Sequence, residues 1–121
     1  MSVGNPDRDP ALLLDMKLAA TDALDFASGL DEAAFRASRL HQAAIIRALE
    51  VLGEAAGRVS RTTTATHPEI AWSEITGMRH RLIHGYEDVR LDIIWSVVQH
   101  RLAPLIAALD PLIPGEEDAA P

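Results

Sequence analysis

The sequence predicts an all-α protein, an up-and-down bundle of four main helices. Twenty alanines and fifteen leucines outnumber the five aromatic residues in this chain of 121, and that composition favours helix over sheet. Apolar residues also recur at spacings of three and four, as expected of helices that bury one face. A chain of this length supplies one domain, so a single bundle with short connections is expected.

The first two long helices are indicated by residues typical of helix ends. Pro10 suits the first turn of a helix, and Gly29 suits its end. Asp31 is a candidate N-cap for a short helical turn, and Ser38 for a second long helix that runs to about Ser60. The two predicted apolar stripes are Leu13, Met16, Ala20, Leu24 and Ala27, and then Ile45, Leu49, Leu52, Ala56 and Val59.

The second half of the chain predicts a loop and two further helices. Residues 61–68 contain a three-threonine run and a proline, which predict a loop. A third helix is expected over residues 72–84, with Gly85 as its stop and residues 86–90 as a short connector. A fourth helix follows, and Pro104 predicts a kink or break within it. The fourth stripe is Ile94, Val97, Val98, Leu102 and Leu105.

These elements divide the chain into a flexible N-terminus (residues 1–9), a helical domain (10–113) and a disordered acidic tail (114–121). The absence of cysteine excludes disulfides, thiolate metal sites and cysteine nucleophiles. No apolar run is long enough to span a membrane, and no export signal is visible. We therefore expect a cytoplasmic protein with no membrane partner.

The one basic stretch of this acidic chain is residues 78–84. The formal net charge is −7, yet this stretch contains two arginines, two histidines and no acid. On a helical wheel Arg79 falls among apolar positions, where an unpaired charge is costly. It therefore needs a carboxylate, a phosphate or an interface cleft. The simpler alternative is a structural arginine, paired to an acid on a neighbouring helix or reaching out to water.

His84 is the candidate for proton transfer, because imidazole exchanges protons near neutral pH. The alternative is a histidine that bonds the last free carbonyls of its helix. His84 falls about 140° from Arg79 on the wheel, so the two do not converge within one straight helix. His80 and His84 have the spacing of a zinc pair, but Arg81 stands where a metalloprotease has glutamate, so we expect no metal.

Four sequence blocks resemble the HepT-like HEPN toxins. They are Gly53-Glu54-Ala55-Ala56, His67-Pro68-Glu69-Ile70-Ala71-Trp72, Gly77-Met78-Arg79-His80-Arg81-Leu82-Ile83-His84-Gly85-Tyr86, and Asp92-Ile93-Ile94-Trp95. Together they extend the resemblance over roughly residues 11–113. The resemblance implies a helical homodimer whose motifs face one another across a cleft.

The resemblance also implies a metal-independent endoribonuclease without a cofactor. It places catalysis on Arg79 and His84, with His80, Arg81 and Glu54 in supporting or RNA-binding roles. An arginine can hold the scissile phosphate, and a histidine can move protons for attack by a 2′-hydroxyl. The RNA class, tRNA or mRNA, stays open.

Toxins of this family are usually encoded beside a minimal nucleotidyltransferase antitoxin, which transfers AMP onto the tyrosine of the motif. That position is Tyr86 here, which would otherwise be read as an amphipathic packing residue. His80, Glu87 and Arg90 depart from the residues common in the family at their positions. We expect these differences to affect the rate of RNA cleavage and the choice of RNA more than the class of protein.

An alternative function is compatible with the same helical fold. The chain would then be a non-catalytic dimeric module that binds nucleotides or docks a nucleotidyltransferase. The complete set of Arg79, His84 and Tyr86 favours the nuclease, whereas the overall acidity favours the module, because an acidic surface repels nucleic acid. For Glu54 the alternative to a role in orienting the site is a surface ion pair with Arg58.

Overall fold

The computed structural model describes residues 4–84 and 90–115. Within them the chain is all-helical, as predicted, with seven α-helices, two 3₁₀ turns and no strand. The α-helices are α1 (Asp9–Ala27), α2 (Glu32–Ala37), α3 (Arg39–Arg58), α4 (Arg61–Thr66), α5 (Trp72–His84), α6 (Leu91–His100) and α7 (Leu102–Leu109). None of these helices combines the length and the apolarity needed to cross a bilayer.

The four predicted long segments correspond to α1, α3, α5 and the α6–α7 pair. Helices α1 and α3 pack along one another at the centre, α5 packs on α3, and α7 packs on α1. The short α2 closes one end by contacting α3 and α6, where Phe35 stacks on Trp95 with ring centroids 5.2 Å apart. The predicted stripe of α3 is buried along its whole length, so burial of that face stabilises the packing of α3 in the bundle.

Several helix ends form as predicted. Asp31 Oδ1 accepts a hydrogen bond from the Ala34 amide at 2.8 Å, and Ser38 Oγ caps α3 through the His41 amide. Gly29 takes φ of +81°, which favours glycine, just after α1 ends. The fourth helix is broken between His100 and Leu102 because Pro104 has no amide hydrogen for the His100 carbonyl and its ring crowds that carbonyl.

Two local predictions were wrong. Residues 61–66 form the short helix α4 rather than a loop. Ser60 caps this helix by accepting from the Thr63 amide, and the Thr66 hydroxyl donates to the Thr62 carbonyl at 2.6 Å. The Ser60 cap satisfies a free amide at the start of α4, which offsets the low helix propensity of the threonines.

Regular structure also begins earlier than Pro10. A 3₁₀ turn spans Pro6–Arg8, and α1 starts at the buried Asp9. The Asp9 carboxylate accepts from the Ser60 amide at 3.0 Å and from the hydroxyls of Ser60 and Thr63 at 2.6 and 2.5 Å. These bonds fasten the start of α1 to the turn between α3 and α4.

Candidate active site

Helix α5 carries the candidate motif and is anchored at its first residue. The Trp72 indole nitrogen donates to the His67 carbonyl at 2.9 Å, which fixes where α5 begins. The helix continues to His84, so it does not open before that residue. The side chain of His84, as well as Gly85 and Tyr86, lies outside the described residues. The roles of His84 and Tyr86 therefore stay predictions.

Helices α3 and α5 approach each other closely at Gly53 and Arg79. A Cβ built on Gly53 would lie 2.3 Å from the Cβ of Arg79 and 3.1 Å from its Cγ. Real carbon atoms do not approach so closely, so only glycine fits at this point of α3. The aliphatic stem of Arg79 therefore lies against the backbone of α3, partly withdrawn from water.

The Arg79 guanidinium is incompletely partnered. Its Nε is buried and has no hydrogen-bond partner among the described residues. None of the ion pairs in the described part of the chain includes Arg79. The alternative in which Arg79 pairs with an acid on a neighbouring helix is therefore not observed there. A buried guanidinium nitrogen without an acceptor costs free energy, which an anionic ligand would recover.

Glu54 follows Gly53 directly, so its backbone lies beside the Arg79 stem. Its side chain is exposed. Within the described chain the predicted Glu54–Arg58 ion pair does not form. The carboxylate is therefore available at the edge of the candidate site, although the structure gives it no partner role.

The neighbouring His80 and Arg81 are both exposed but lie on different sides of α5. Arg81 lines a groove between α5 and the α6–α7 pair, together with Met78 and Val97. Residues two apart on a helix point about 200° apart, so Arg79 and Arg81 serve different surfaces within one protomer. Among the predicted supporting residues, only Glu54 and His80 adjoin Arg79 in sequence or across the helix contact.

No group of three or more potential metal ligands occurs among residues 4–84 and 90–115. The expectation of no metal at the His80–His84 pair stays a prediction, because the His84 side chain lies outside the described residues. The site as described offers a cation and no metal shell.

Sequence reasoning did not assign the role of Gly53. It appeared only as part of a four-residue block, yet its lack of a Cβ decides how closely α3 and α5 approach. A signal was present, because Gly53 and Gly57 stand four apart inside an amphipathic helix. Glycines inside a helix weaken it, so a repeated pair on one face indicates close packing of a partner.

The fold and the site together define a class of protein. The chain is an all-helical HEPN-like domain whose third long helix carries an Arg-x4-His sequence, with the arginine seated against a glycine of the adjacent helix. The family model described as "Ribonuclease HepT-like" matches residues 16–112. The chain belongs to this family of HepT-like ribonucleases.

Individual relatives agree with this assignment. The chain is 32% identical over 89 residues to "Putative RNase MJ1380" of Methanocaldococcus jannaschii, covering 74% of this chain and 82% of that protein. It is 38% identical over 71 residues to "Probable ribonuclease HepT" of Thermococcus cleftensis, covering 59% and 64%. A second M. jannaschii protein, "Putative RNase MJ0125", is 29% identical over 114 residues, covering 93% and 98%. No solved structure matches the chain at a significant level.

Proposed function

We propose that this protein is an endoribonuclease toxin that cleaves RNA at a site built around Arg79 and His84. The observation that carries the proposal is the state of Arg79, whose stem lies on Gly53 and whose buried Nε has no acceptor among the described residues. A phosphodiester supplies the acceptor oxygens and the negative charge that such a guanidinium requires. Membership in the HepT-like ribonuclease family supports RNA as the source of that phosphodiester.

The proposed chemistry uses the nucleophile of the substrate. The 2′-hydroxyl attacks the adjacent phosphorus, the bond from phosphorus to the 5′-oxygen breaks, and a 2′,3′-cyclic phosphate and a 5′-hydroxyl result. His84 moves the protons of this exchange, and Arg79 stabilises the charge that develops on the phosphoryl oxygens. DNA lacks the 2′-hydroxyl, so it is not a substrate, and no metal-bound water is needed.

A homodimer with facing motifs would reconcile the two residues geometrically. Arg79 and His84 are about 140° apart on α5, which stays helical through both positions. A second protomer that presents its own α5 across a cleft would bring the arginine of one chain near the histidine of the other. Ile83, within the motif, and Ile93, in the first turn of α6, are exposed side chains that such an interface would cover.

We further propose that a nucleotidyltransferase antitoxin silences the nuclease by transferring AMP onto Tyr86. The adenylyl group would add a negative phosphate and bulk two residues after His84, which would repel and block an RNA backbone. A Tyr86→Phe variant should then cleave RNA normally and escape the antitoxin, read by intact mass and residual nuclease activity. Silencing of that variant with a mass increase of one AMP would mean that another residue is the target.

Cleavage of a tRNA and mRNA pool in EDTA tests the central proposal. Purified unmodified protein should cleave the pool, His84→Ala should lose at least about a hundredfold in rate, and His100→Ala should retain it. His100 is the matched control because it is an exposed histidine on another helix. Equal rates for all three proteins would remove His84 from catalysis. No cleavage by the AMP-free wild type would instead support the non-catalytic binding module.

A further inference from the structure

A second cationic site lies beside the candidate active site, where the N-terminal segment meets the ends of α3 and α5. Its pocket has a volume of about 750 Å³, within the range typical of ligand sites. We call it the basic pocket and define it by Arg8, Arg58 and Arg61, with Asn5, Ser73 and Thr76 also in its wall. Among the described residues, no acid is part of that wall.

The three arginines are exposed and uncompensated. None of them takes part in an ion pair with a described residue. Two acids flank Arg8 in sequence: Asp9 is turned inward and engaged by Ser60 and Thr63, whereas Asp7 is exposed and is not part of the pocket wall. Three like charges around one pocket repel each other, and a bound anion would relieve that repulsion. The clustering occurs in a chain of formal net charge −7, so a general excess of arginine does not explain it.

The basic pocket is continuous with the contact between α3 and α5. Gly53 faces Arg79 and Gly57 faces Thr76, so the two helices run antiparallel. Thr76 lies one turn from Arg79, about 4.5 Å along the axis, on the side away from the end of α5. Positions 73, 76, 80 and 84 are spaced by three, four and four residues, and therefore share one face of α5. A strand laid along this face from the motif reaches the basic pocket.

We propose that the basic pocket binds a backbone phosphate of the RNA strand, upstream or downstream of the phosphate that is cleaved. The proposal rests on the RNase function proposed above. An arginine guanidinium can donate two parallel hydrogen bonds to phosphate oxygens. The Ser73 hydroxyl and the Asn5 side-chain amide add uncharged hydrogen-bond donors. The basic pocket holds the strand in register and reads no base, so it contributes affinity for RNA rather than the chemistry of cleavage.

The test measures binding of a fluorescein-labelled 12-nucleotide RNA by anisotropy at several salt concentrations, in full-length protein carrying His84→Ala so that the RNA stays intact. Adding R58Q/R61Q should weaken binding about tenfold. It should also reduce the slope of log K against log salt by about 0.7 for each lost phosphate contact. The control R36Q/R39Q removes the same charge from α2 and the far end of α3, about 28 Å along the axis from Arg58. It should bind as its parent does.

A second variant distinguishes a loss of RNA binding from a loss of folding. Ser73→Glu places a carboxylate in the first turn of α5, where it favours the helix dipole, and at the same time in the basic pocket. It should melt no lower than its parent and should still bind the RNA more weakly.

Three results would overturn the proposal: equal weakening by R36Q/R39Q, an unchanged salt slope in R58Q/R61Q, or no RNA binding by the parent. Failure of the nuclease proposal is read separately, from cleavage by the protein with His84 intact. RNA binding that depends on the basic pocket without any cleavage would retain the inference and reject the enzyme.

Discussion

Gly53 and Arg79 fix the geometry of the candidate site at the scale of single residues. The glycine lets the α5 backbone approach α3 until the arginine stem lies on the neighbouring helix. Rotamer freedom of the stem is thereby reduced before any ligand arrives, which lowers the entropic cost of holding a phosphate. Gly57, one turn later, has a different environment, since an added Cβ there would lie 3.6 Å from the nearest atom, Thr76 Cγ2.

Replacing each of the two glycines with alanine should therefore change the stability of the protein in opposite directions. Gly53→Ala should destabilise the protein by about 1–3 kcal/mol, because the Arg79 Cβ, fixed to the α5 backbone, cannot move aside. Gly57→Ala should stabilise it by up to about 1 kcal/mol, because alanine favours helix and meets only ordinary contacts. Urea unfolding of both variants checks this. Equal effects of the two changes would mean that the close contact does not restrict position 53.

Asp9 connects helices that are distant from one another in the sequence. Its three hydrogen bonds join α1 to the turn between α3 and α4, two segments that are fifty residues apart in sequence. Burial raises the pKa of Asp9, but hydrogen bonds from Ser60 and Thr63 lower it more, so the net pKa lies below the ordinary 3.8. A lowered folded-state pKa means that the ionised carboxylate stabilises the fold above pH 3.8, and that this stability is lost as pH falls through the folded-state value.

Asp9→Asn should therefore cost about 1–2 kcal/mol at pH 7, and the difference from wild type should shrink as pH is lowered below about 4. Thermal melts between pH 7 and pH 3 measure both quantities. Asp22→Asn removes an exposed carboxylate from the same helix and should change stability little at any of these pH values. A deficit for Asp9→Asn that stays constant with pH would show that packing, not ionisation, is responsible.

The molecule as a whole carries a negative net charge, but several of its arginines lie close together on the surface. Arg79 and the arginines of the basic pocket lie along the contact between α3 and α5, and none of them has an ion-pair partner in the part of the chain that the structure describes. On that surface a local positive potential attracts a polyanion that the rest of the molecule repels. The same separation disfavours binding of RNA elsewhere on the surface.

Mixing two inactive variants tests whether the site is shared between protomers. Arg79→Ala and His84→Ala homodimers should each be inactive, but their mixture should recover part of the wild-type rate after subunit exchange if the motifs face one another. If each site were built within one chain, every hybrid site would still lack a residue and the mixture would stay inactive. Sedimentation of the wild type establishes in parallel whether a dimer exists.

The sequence alone was sufficient for most of the fold. Periodic apolar spacing predicts the long helices, and the capping residues Asp31 and Ser38, together with Gly29, predict their ends, because these features act within a few residues. Pro104 predicts the break between α6 and α7 for the same reason. The threonine run was misjudged because its helix depends on Ser60 and Asp9, and Asp9 is distant in sequence.

The sequence by itself determined the helical class and pointed, through the family resemblance, to Arg79, His84 and Tyr86. Only the tertiary structure decided which side chains share a surface. It placed Arg79 against Gly53 and brought Arg8 together with Arg58 and Arg61. Helical periodicity assigns each residue to a face of its own helix, but it does not specify which helix packs there. That choice is set by the burial of all the faces together, so it is a property of the folded chain.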